Sequence, residues 1–182
     1  MIRNFGDKIP RIAESAFVSE AAYVIGDVEI GESSGVFPGA VIRGDFASIK
    51  IGSNTMIEDG SIVHSGSTVE IGDNCIIGHS VVMHGSKVGN NCLLGNNCTV
   101  LDNVKIGNSC IIAAGALVSP NTEVPENSMV MGIPGVIKPI SSDRARSRLS
   151  SRSGQTGNQS YSDMLKKYKK QPELGSKGLS QR

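Results

Sequence analysis

Residues 71–100, IGDNCIIGHSVVMHGSKVGNNCLLGNNCTV, contain the pattern that determines the fold, because aliphatic residues recur there at a nearly constant spacing of six. This period matches neither the 3.6 residues of an amphipathic helix nor the 2.0 residues of an isolated strand. It is typical of a solenoid in which each short strand directs one aliphatic side chain toward a common axis. The stretch therefore predicts a parallel β-helix built from six-residue repeats.

The same spacing extends over most of the chain, and the aliphatic positions are called anchors below. The twenty-one anchors are Ile12, Val18, Val24, Ile30, Val36, Ile42, Ile51, Ile57, Val63, Ile71, Ile77, Met83, Val88, Leu94, Val100, Ile106, Ile112, Val118, Val124, Val130 and Val136. If three repeats form one coil, which the spacing alone does not determine, the twenty-one anchors give seven coils of a triangular prism.

The spacing departs from six at three places only. It is nine residues from Ile42 to Ile51, eight from Val63 to Ile71 and five from Met83 to Val88. These intervals follow the sixth, ninth and twelfth repeats, so with three repeats per coil they fall at one corner of successive coils. Insertions that collect on one edge of a solenoid usually mark its functional side. We expect the functional site at this irregular corner.

The length of 182 residues suits one domain with a tail. We expect an N-terminal cap over residues 1–11 and the β-helix over residues 12–137. Residues 138–182 are expected to form a basic linker and a C-terminal helix with a disordered end. The helix is predicted from the spacing of Tyr161, Leu165 and Tyr168.

Charge is divided unevenly, since the tail carries a net +8 and the rest of the chain a net −7. No aromatic residues alternate with the basic ones, so we expect no nucleic-acid partner and instead a tail helix that packs on the acidic solenoid. No signal sequence opens the chain and no run approaches 18 apolar residues. We therefore expect a soluble, cytoplasmic protein with no membrane partner.

Four cysteines occupy one position of the repeat, four residues after an anchor, where many other repeats have Ala, Ser or Thr. They are Cys75, Cys92, Cys98 and Cys110. A free cysteine in a small interior position behaves as a small hydrophobic residue. This spacing predicts buried packing and argues against a metal site or disulfides.

Two of the three histidines occupy the same position of the repeat. His64 directly follows the anchor Val63 and His84 directly follows Met83, which places both on one face in adjacent coils. Neighbouring strands lie about 4.8 Å apart, so the two imidazoles can approach a single ion. Arg43 occupies the same column one coil earlier.

The third histidine, His79, lies on the preceding face, in the column of Asp59. To join the other two, it would have to come from a second chain, and closed threefold symmetry offers that geometry. Three neutral imidazoles with one open position are typical of a catalytic zinc site. We predict a metal site formed by His64, His79 and His84, and imidazole ligands suit Zn²⁺, Co²⁺ or Fe²⁺.

These segments resemble the gamma-class carbonic anhydrases. The matching pieces are VIRGD at 41–45, IEDGSIVH at 57–64, IGH at 77–79 and MHG at 83–85. The resemblance spans about residues 8–140 and extends weakly to Tyr161 and Tyr168. It implies an all-β solenoid, a left-handed parallel β-helix of about seven triangular coils with a C-terminal α-helix. It also implies a homotrimer with the metal at its subunit interfaces.

The resemblance further implies roles for individual residues. His64, His79 and His84 would be the metal ligands, Arg43 and Asp59 would form an ion pair across the interface, and Asp45 would join the adjoining polar network. The implied activity is the reversible hydration of carbon dioxide to bicarbonate. In that chemistry, the ion lowers the pKa of bound water to about 7 and the resulting hydroxide attacks the substrate.

The chain departs from the family pattern in the residues that handle protons. Glu58 stands where the family usually has glutamine, and the loops at 46–48 and 65–68 lack the glutamates that shuttle protons in the best-studied members. We expect proton export to be slow or to run through Glu58 or Tyr161. Glu58 is also a candidate ligand that would block the open metal position.

Two other functions fit the same repeat, which many acyltransferases share. A hexapeptide-repeat acyltransferase would use one histidine as general base and would turn over acyl-CoA without metal. A non-catalytic relative would keep the trimer and the metal but would not hydrate carbon dioxide. Fold alone does not decide between them.

Overall fold

The computed structural model describes residues 1–141, Asp143, Ser147 and 161–170. The predicted Ser- and Arg-rich linker and the predicted disordered end lie almost entirely outside the described residues. The strands, in chain order, are β1 (Ile2–Arg3), β2 (Arg11–Ile12), β3 (Phe17–Val18), β4 (Tyr23–Ile30), β5 (Gly35–Val36), β6 (Val41–Ile51), β7 (Met56–Ile57), β8 (Ile62–Val63), β9 (Val69–Ile71), β10 (Ile76–Ile77), β11 (Val82–Met83), β12 (Lys87–Val88), β13 (Leu93–Leu94), β14 (Thr99–Val100), β15 (Lys105–Ile106), β16 (Ile111–Ile112), β17 (Leu117–Val118), β18 (Glu123–Val124), β19 (Ser128–Met131) and β20 (Val136–Pro139). One helix, α1 (Tyr161–Lys170), follows them.

The strands form the three faces of a left-handed β-helix of about seven turns. Face 1 contains β8, β11, β14 and β17, and face 2 contains β9, β12, β15 and β18. Face 3 contains β3, β5, β7, β10, β13, β16 and β19. The long strands β4 and β6 pair continuously around the corner between faces 1 and 2, which joins these two faces into one sheet.

The predicted core is confirmed over nearly the whole repeat. Every anchor from Val24 to Val130 is buried, and each pairs in register with the anchor one coil away, as Val63 does with Met83. The chain often turns three residues after an anchor, where an Asn or Ser has a positive φ, as at Asn91 and Asn97. The local spacing therefore sets both the strand register and the content of the core.

The last anchor of the sequence pattern was predicted wrongly. Val136 is 55% exposed, because the chain reverses after Met131 and β20 runs antiparallel to β19. The parallel coils thus end one repeat earlier than the spacing indicates.

An interior column of small polar side chains forms hydrogen bonds between successive coils, and it contains three of the four cysteines. The Cys75, Cys92 and Cys110 thiols donate to backbone oxygens of the next coil at 3.0–3.1 Å. All four cysteines are free and buried, as the spacing predicted. Burial raises the pKa of the Cys98 thiol to about 12, which keeps it protonated at neutral pH.

Helix α1 packs on face 3 through the residues that the sequence predicts. Leu165 is buried against Phe37 and Met56, and the Tyr168 ring centroid lies 5.1 Å from that of Phe17. The predicted amphipathic helix is confirmed over Tyr161–Lys170. No helix among the described residues is long and apolar enough to cross a membrane.

Candidate functional site

The irregular corner lies between faces 1 and 2, as the three unequal spacings predict. Strand β6 passes it as one continuous strand, whereas residues 64–68 and 84–86 pass it outside the strands in the next two coils. The close packing of β4 on β6 requires glycine here. A Cβ added to Gly44 would lie 2.5 Å from the Asp27 carbonyl oxygen, and one added to Gly26, at φ +86°, would lie 2.3 Å from the Gly44 oxygen.

His64 and His84 lie side by side at this corner. Their strands pair with Val63 opposite Met83, and the centroids of the two imidazole rings are 5.4 Å apart. Arg43 lies in the same column one coil earlier, since Ile42 pairs with Val63. The structure therefore brings together two of the three predicted ligands and the arginine of the column.

His64 is held by the carboxylate of Asp45, with His64 Nε2 and Asp45 Oδ1 3.2 Å apart. The other Asp45 oxygen pairs with Arg43. Burial pushes the pKa of Asp45 upward, but hydrogen bonds from the backbone and from Arg43 outweigh it and hold this pKa below its usual value. Burial and then the Arg43 charge lower the pKa of His64, which favours the neutral imidazole that a metal requires.

His84 is held by a carboxylate that the sequence analysis did not single out. Asp102 Oδ1 lies 3.0 Å from His84 Nδ1, and Asp102 comes from the coil above. The repeat spacing could have indicated this contact. Asp102 stands two positions after Val100, the anchor that pairs with Met83, and His84 directly follows Met83.

His79 lies at a different corner, between faces 3 and 1, in the column of Asp59. Its Nδ1 is 3.1 Å from Asp59 Oδ2 and its Nε2 is 3.3 Å from Glu58 Oε2. Among the described residues of one chain, no group of three His, Cys, Asp or Glu side chains is arranged to hold a metal. Within one chain, then, His79 does not join His64 and His84.

Glu58 and Tyr161 contact each other although 103 positions separate them in the chain. The Tyr161 hydroxyl donates to Glu58 Oε1, and the Glu58 side chain is only 6% exposed. Helix α1 therefore closes over the carboxylate that contacts His79. Arg43 and Asp59 have different partners within the chain, namely Asp45 and His79, so their expected pairing across an interface stays a prediction.

The donor chemistry at the irregular corner fits a divalent metal. Each of the two neighbouring imidazoles contacts a carboxylate through one ring nitrogen, and no hydrogen bond within the described part of the chain occupies the other nitrogen. Metal-binding histidines commonly have this arrangement, in which a carboxylate fixes the tautomer and the orientation of the ring. Among the described residues of one chain, no third His, Cys, Asp or Glu side chain completes a ligand group there.

Comparisons with family models identify the repeat. Residues 85–120 match the family described as "Bacterial transferase hexapeptide (six repeats)", and residues 68–101 match "Hexapeptide repeat of succinyl-transferase". Of solved structures, a hexapeptide transferase family protein from Anaplasma phagocytophilum is similar at 28% identity and a TM-score of 0.82. That match covers 92% of this chain and 97% of the other.

Curated relatives match a shorter part of the chain. Gamma carbonic anhydrase 1, mitochondrial, from Arabidopsis thaliana is 44% identical over 61 residues, which are 34% of this chain and 22% of that protein. A carbonic anhydrase from Geobacillus kaustophilus is 44% identical over 62 residues, which are 34% of each chain. The chain thus matches between a fifth and about a third of the length of these two relatives.

Proposed function

We propose that the chain, which has the hexapeptide repeat and is similar to gamma carbonic anhydrases over a third of its length, is a metal-dependent carbonic anhydrase that interconverts carbon dioxide and bicarbonate. In this proposal, the protein is a homotrimer, and each metal site combines His64 and His84 of one subunit with His79 of its neighbour. Zn²⁺ is the proposed ion, and Co²⁺ or Fe²⁺ suits the same ligands.

The observation that carries the proposal is the side-by-side placement of His64 and His84, with ring centroids 5.4 Å apart, while His79 lies at another corner. Two imidazoles from adjacent coils are too few for a metal site, and His79, whose side chain is 49% exposed, would supply a third donor to a neighbouring subunit. For His79 to bind metal, its contact with Glu58 or with Asp59 has to open. Closed threefold symmetry would build the same site at all three interfaces.

When bound, the metal would supply Lewis-acid activation of water toward carbon dioxide. Asp45 and Asp102 hold the rings of His64 and His84, and Arg43 fixes Asp45. The exposed Phe46 ring lies near the His64 imidazole in an edge arrangement, with ring centroids 5.9 Å apart.

We assign proton transfer to the Glu58–Tyr161 pair. Glu58 is buried and lies between the Tyr161 hydroxyl and His79 Nε2, so it is positioned to accept a proton at Oε1 or Oε2. General bases of this kind act within hydrogen-bond reach of the proton that they accept. Asp59 holds the other side of His79.

The decisive experiment combines metal analysis with stopped-flow hydration of carbon dioxide on anaerobically purified protein. We expect stoichiometric metal and hydration in the wild type, and loss of both in His64→Ala and His84→Ala, because two imidazoles hold a divalent ion weakly. Lys87→Ala, at an exposed position on face 2, is the control and should behave as the wild type does. Full metal occupancy in either histidine variant would contradict the ligand assignment.

The second candidate function is acyl transfer, which the similarity to the hexapeptide transferase family protein along nearly the whole chain favours. Acyl-CoA turnover by metal-free protein, without hydration of carbon dioxide, would support it. A trimer that binds metal but catalyses neither reaction would support the non-catalytic alternative. Assays of metal content, carbon dioxide hydration and acyl-CoA turnover on one protein preparation distinguish these three functions.

A further inference from the structure

His84 has a defined orientation at the irregular corner because it touches a carboxylate from a different coil. Its Nδ1 lies 3.0 Å from Asp102 Oδ1, within the normal range of a hydrogen bond. An ionised carboxylate only accepts hydrogen bonds, so the contact requires a proton on His84 Nδ1. In the neutral ring, the lone pair is then on Nε2.

The arrangement around the two histidines is two-sided. Asp45 contacts His64 from within the RGD segment of the coil below His64, and Asp102 contacts His84 from the coil above His84. The two rings thus lie between two carboxylates. Asp45 belongs to one of the four matching segments quoted above, whereas Asp102 lies outside these four segments.

We propose that Asp102 is a positioning residue that holds His84 as the Nδ1–H tautomer and so presents Nε2 to the metal. The proposal deepens the proposed function, since it rests on His84 being a ligand. Carboxylates that hold metal-binding histidines in this way typically improve metal affinity by 10–100-fold. The Asp102 side chain is 60% exposed, so competition from water places the expected effect near the lower end of this range.

The first test needs neither metal nor activity. Nitrogen-15 NMR of the metal-free protein at about pH 8.5, two units above the ordinary imidazole pKa, reports which nitrogen of His84 carries the proton. We expect the Nδ1–H form in the wild type and a shift toward the Nε2–H form, which free histidine prefers, in Asp102→Ala. An unchanged tautomer in Asp102→Ala would overturn the proposal.

The second test measures zinc affinity by competition with a chelator. Asp102→Ala should bind Zn²⁺ about 10-fold more weakly than the wild type, and Asp102→Asn, which keeps an acceptor oxygen, should fall between them. Glu123→Gln is the control, because it also removes an exposed carboxylate, one that contacts only Lys105 on face 2 at 3.2 Å among the described residues. Wild-type affinity in Asp102→Ala would overturn the proposal.

The His84 tautomer and the zinc affinity, measured separately, distinguish this proposal from the proposed function. A tautomer shift in a protein that binds no zinc would support the positioning role and contradict the metal-dependent activity. A protein that binds zinc and hydrates carbon dioxide, with the His84 tautomer unaffected by Asp102→Ala, would do the reverse. Thermal unfolding of each variant identifies any general loss of structure.

Discussion

At the irregular corner, the close approach of the β4 and β6 backbones determines where individual side chains lie. Gly44 lies between Arg43 and Asp45, and its backbone packs against Asp27 in the adjacent strand. The absence of a Cβ allows β4 and β6 to pair around the corner. This pairing places the Asp45 carboxylate beside His64, so the glycine supports the site although it has no functional group.

Gly44→Ala should therefore both destabilise the protein and weaken metal binding. A Cβ at 2.5 Å from the Asp27 oxygen forces a backbone shift, which we expect to cost about 1–3 kcal/mol and to move Asp45 away from His64. Urea unfolding and zinc competition measure the two effects. Gly66→Ala is the matched control, because no atom lies within 4 Å of its added Cβ. Equal results for the two variants would refute this explanation.

Helix α1 is the element that links the tail to the site. It is ten residues long, and an isolated helix of that length is marginal in water, so its stability depends on docking against face 3. Leu165, which is 4% exposed, supplies much of this contact. The docked helix keeps Tyr161 on Glu58.

Leu165→Ala should detach the helix while the β-helix stays intact. Truncating a buried leucine costs about 2–5 kcal/mol, which exceeds what a short docked helix can lose. We expect amide hydrogen exchange to accelerate over Tyr161–Lys170 and to stay slow in β10 and β13. Lys167→Ala, at an exposed position of the same helix, should leave both regions protected. Continued protection of the helix in Leu165→Ala would show that other contacts suffice for docking.

At the scale of the whole molecule, each metal site of the proposed trimer should be formed by residues of two chains. His79→Ala and His84→Ala homotrimers then lack any intact site. In mixed trimers, one interface pairs His64 and His84 of the first variant with His79 of the second. With equal random mixing, about a quarter of the wild-type metal sites and activity should return under closed threefold symmetry.

Co-refolding the two variants and measuring metal and hydration in the mixture tests this expectation. Mass spectrometry of the intact assemblies shows whether mixed trimers have formed. If mixed trimers form and neither metal nor activity returns, the site is not shared between chains. Unmixed samples of each variant, refolded in parallel, provide the baseline.

The six-residue period was enough to predict the β-helix, the buried anchors and the column that unites Arg43, His64 and His84. It succeeds because strand pairing in a solenoid repeats the same local spacing from coil to coil, so register follows from counting. The same reasoning failed at Val136, where the chain reverses and β20 pairs antiparallel. The six-residue spacing does not indicate where the chain stops adding parallel coils.

Four contacts of the site could be seen only in the folded chain. They are Asp102 with His84, Asp45 with His64, Asp45 with Arg43, and Tyr161 with Glu58. These contacts depend on side-chain direction between coils and on where a distant helix docks. Periodicity places a residue on a face but does not say which neighbouring carboxylate its ring nitrogen reaches. The position of each histidine is thus encoded locally, whereas the groups that orient it come from packing between segments far apart in the chain.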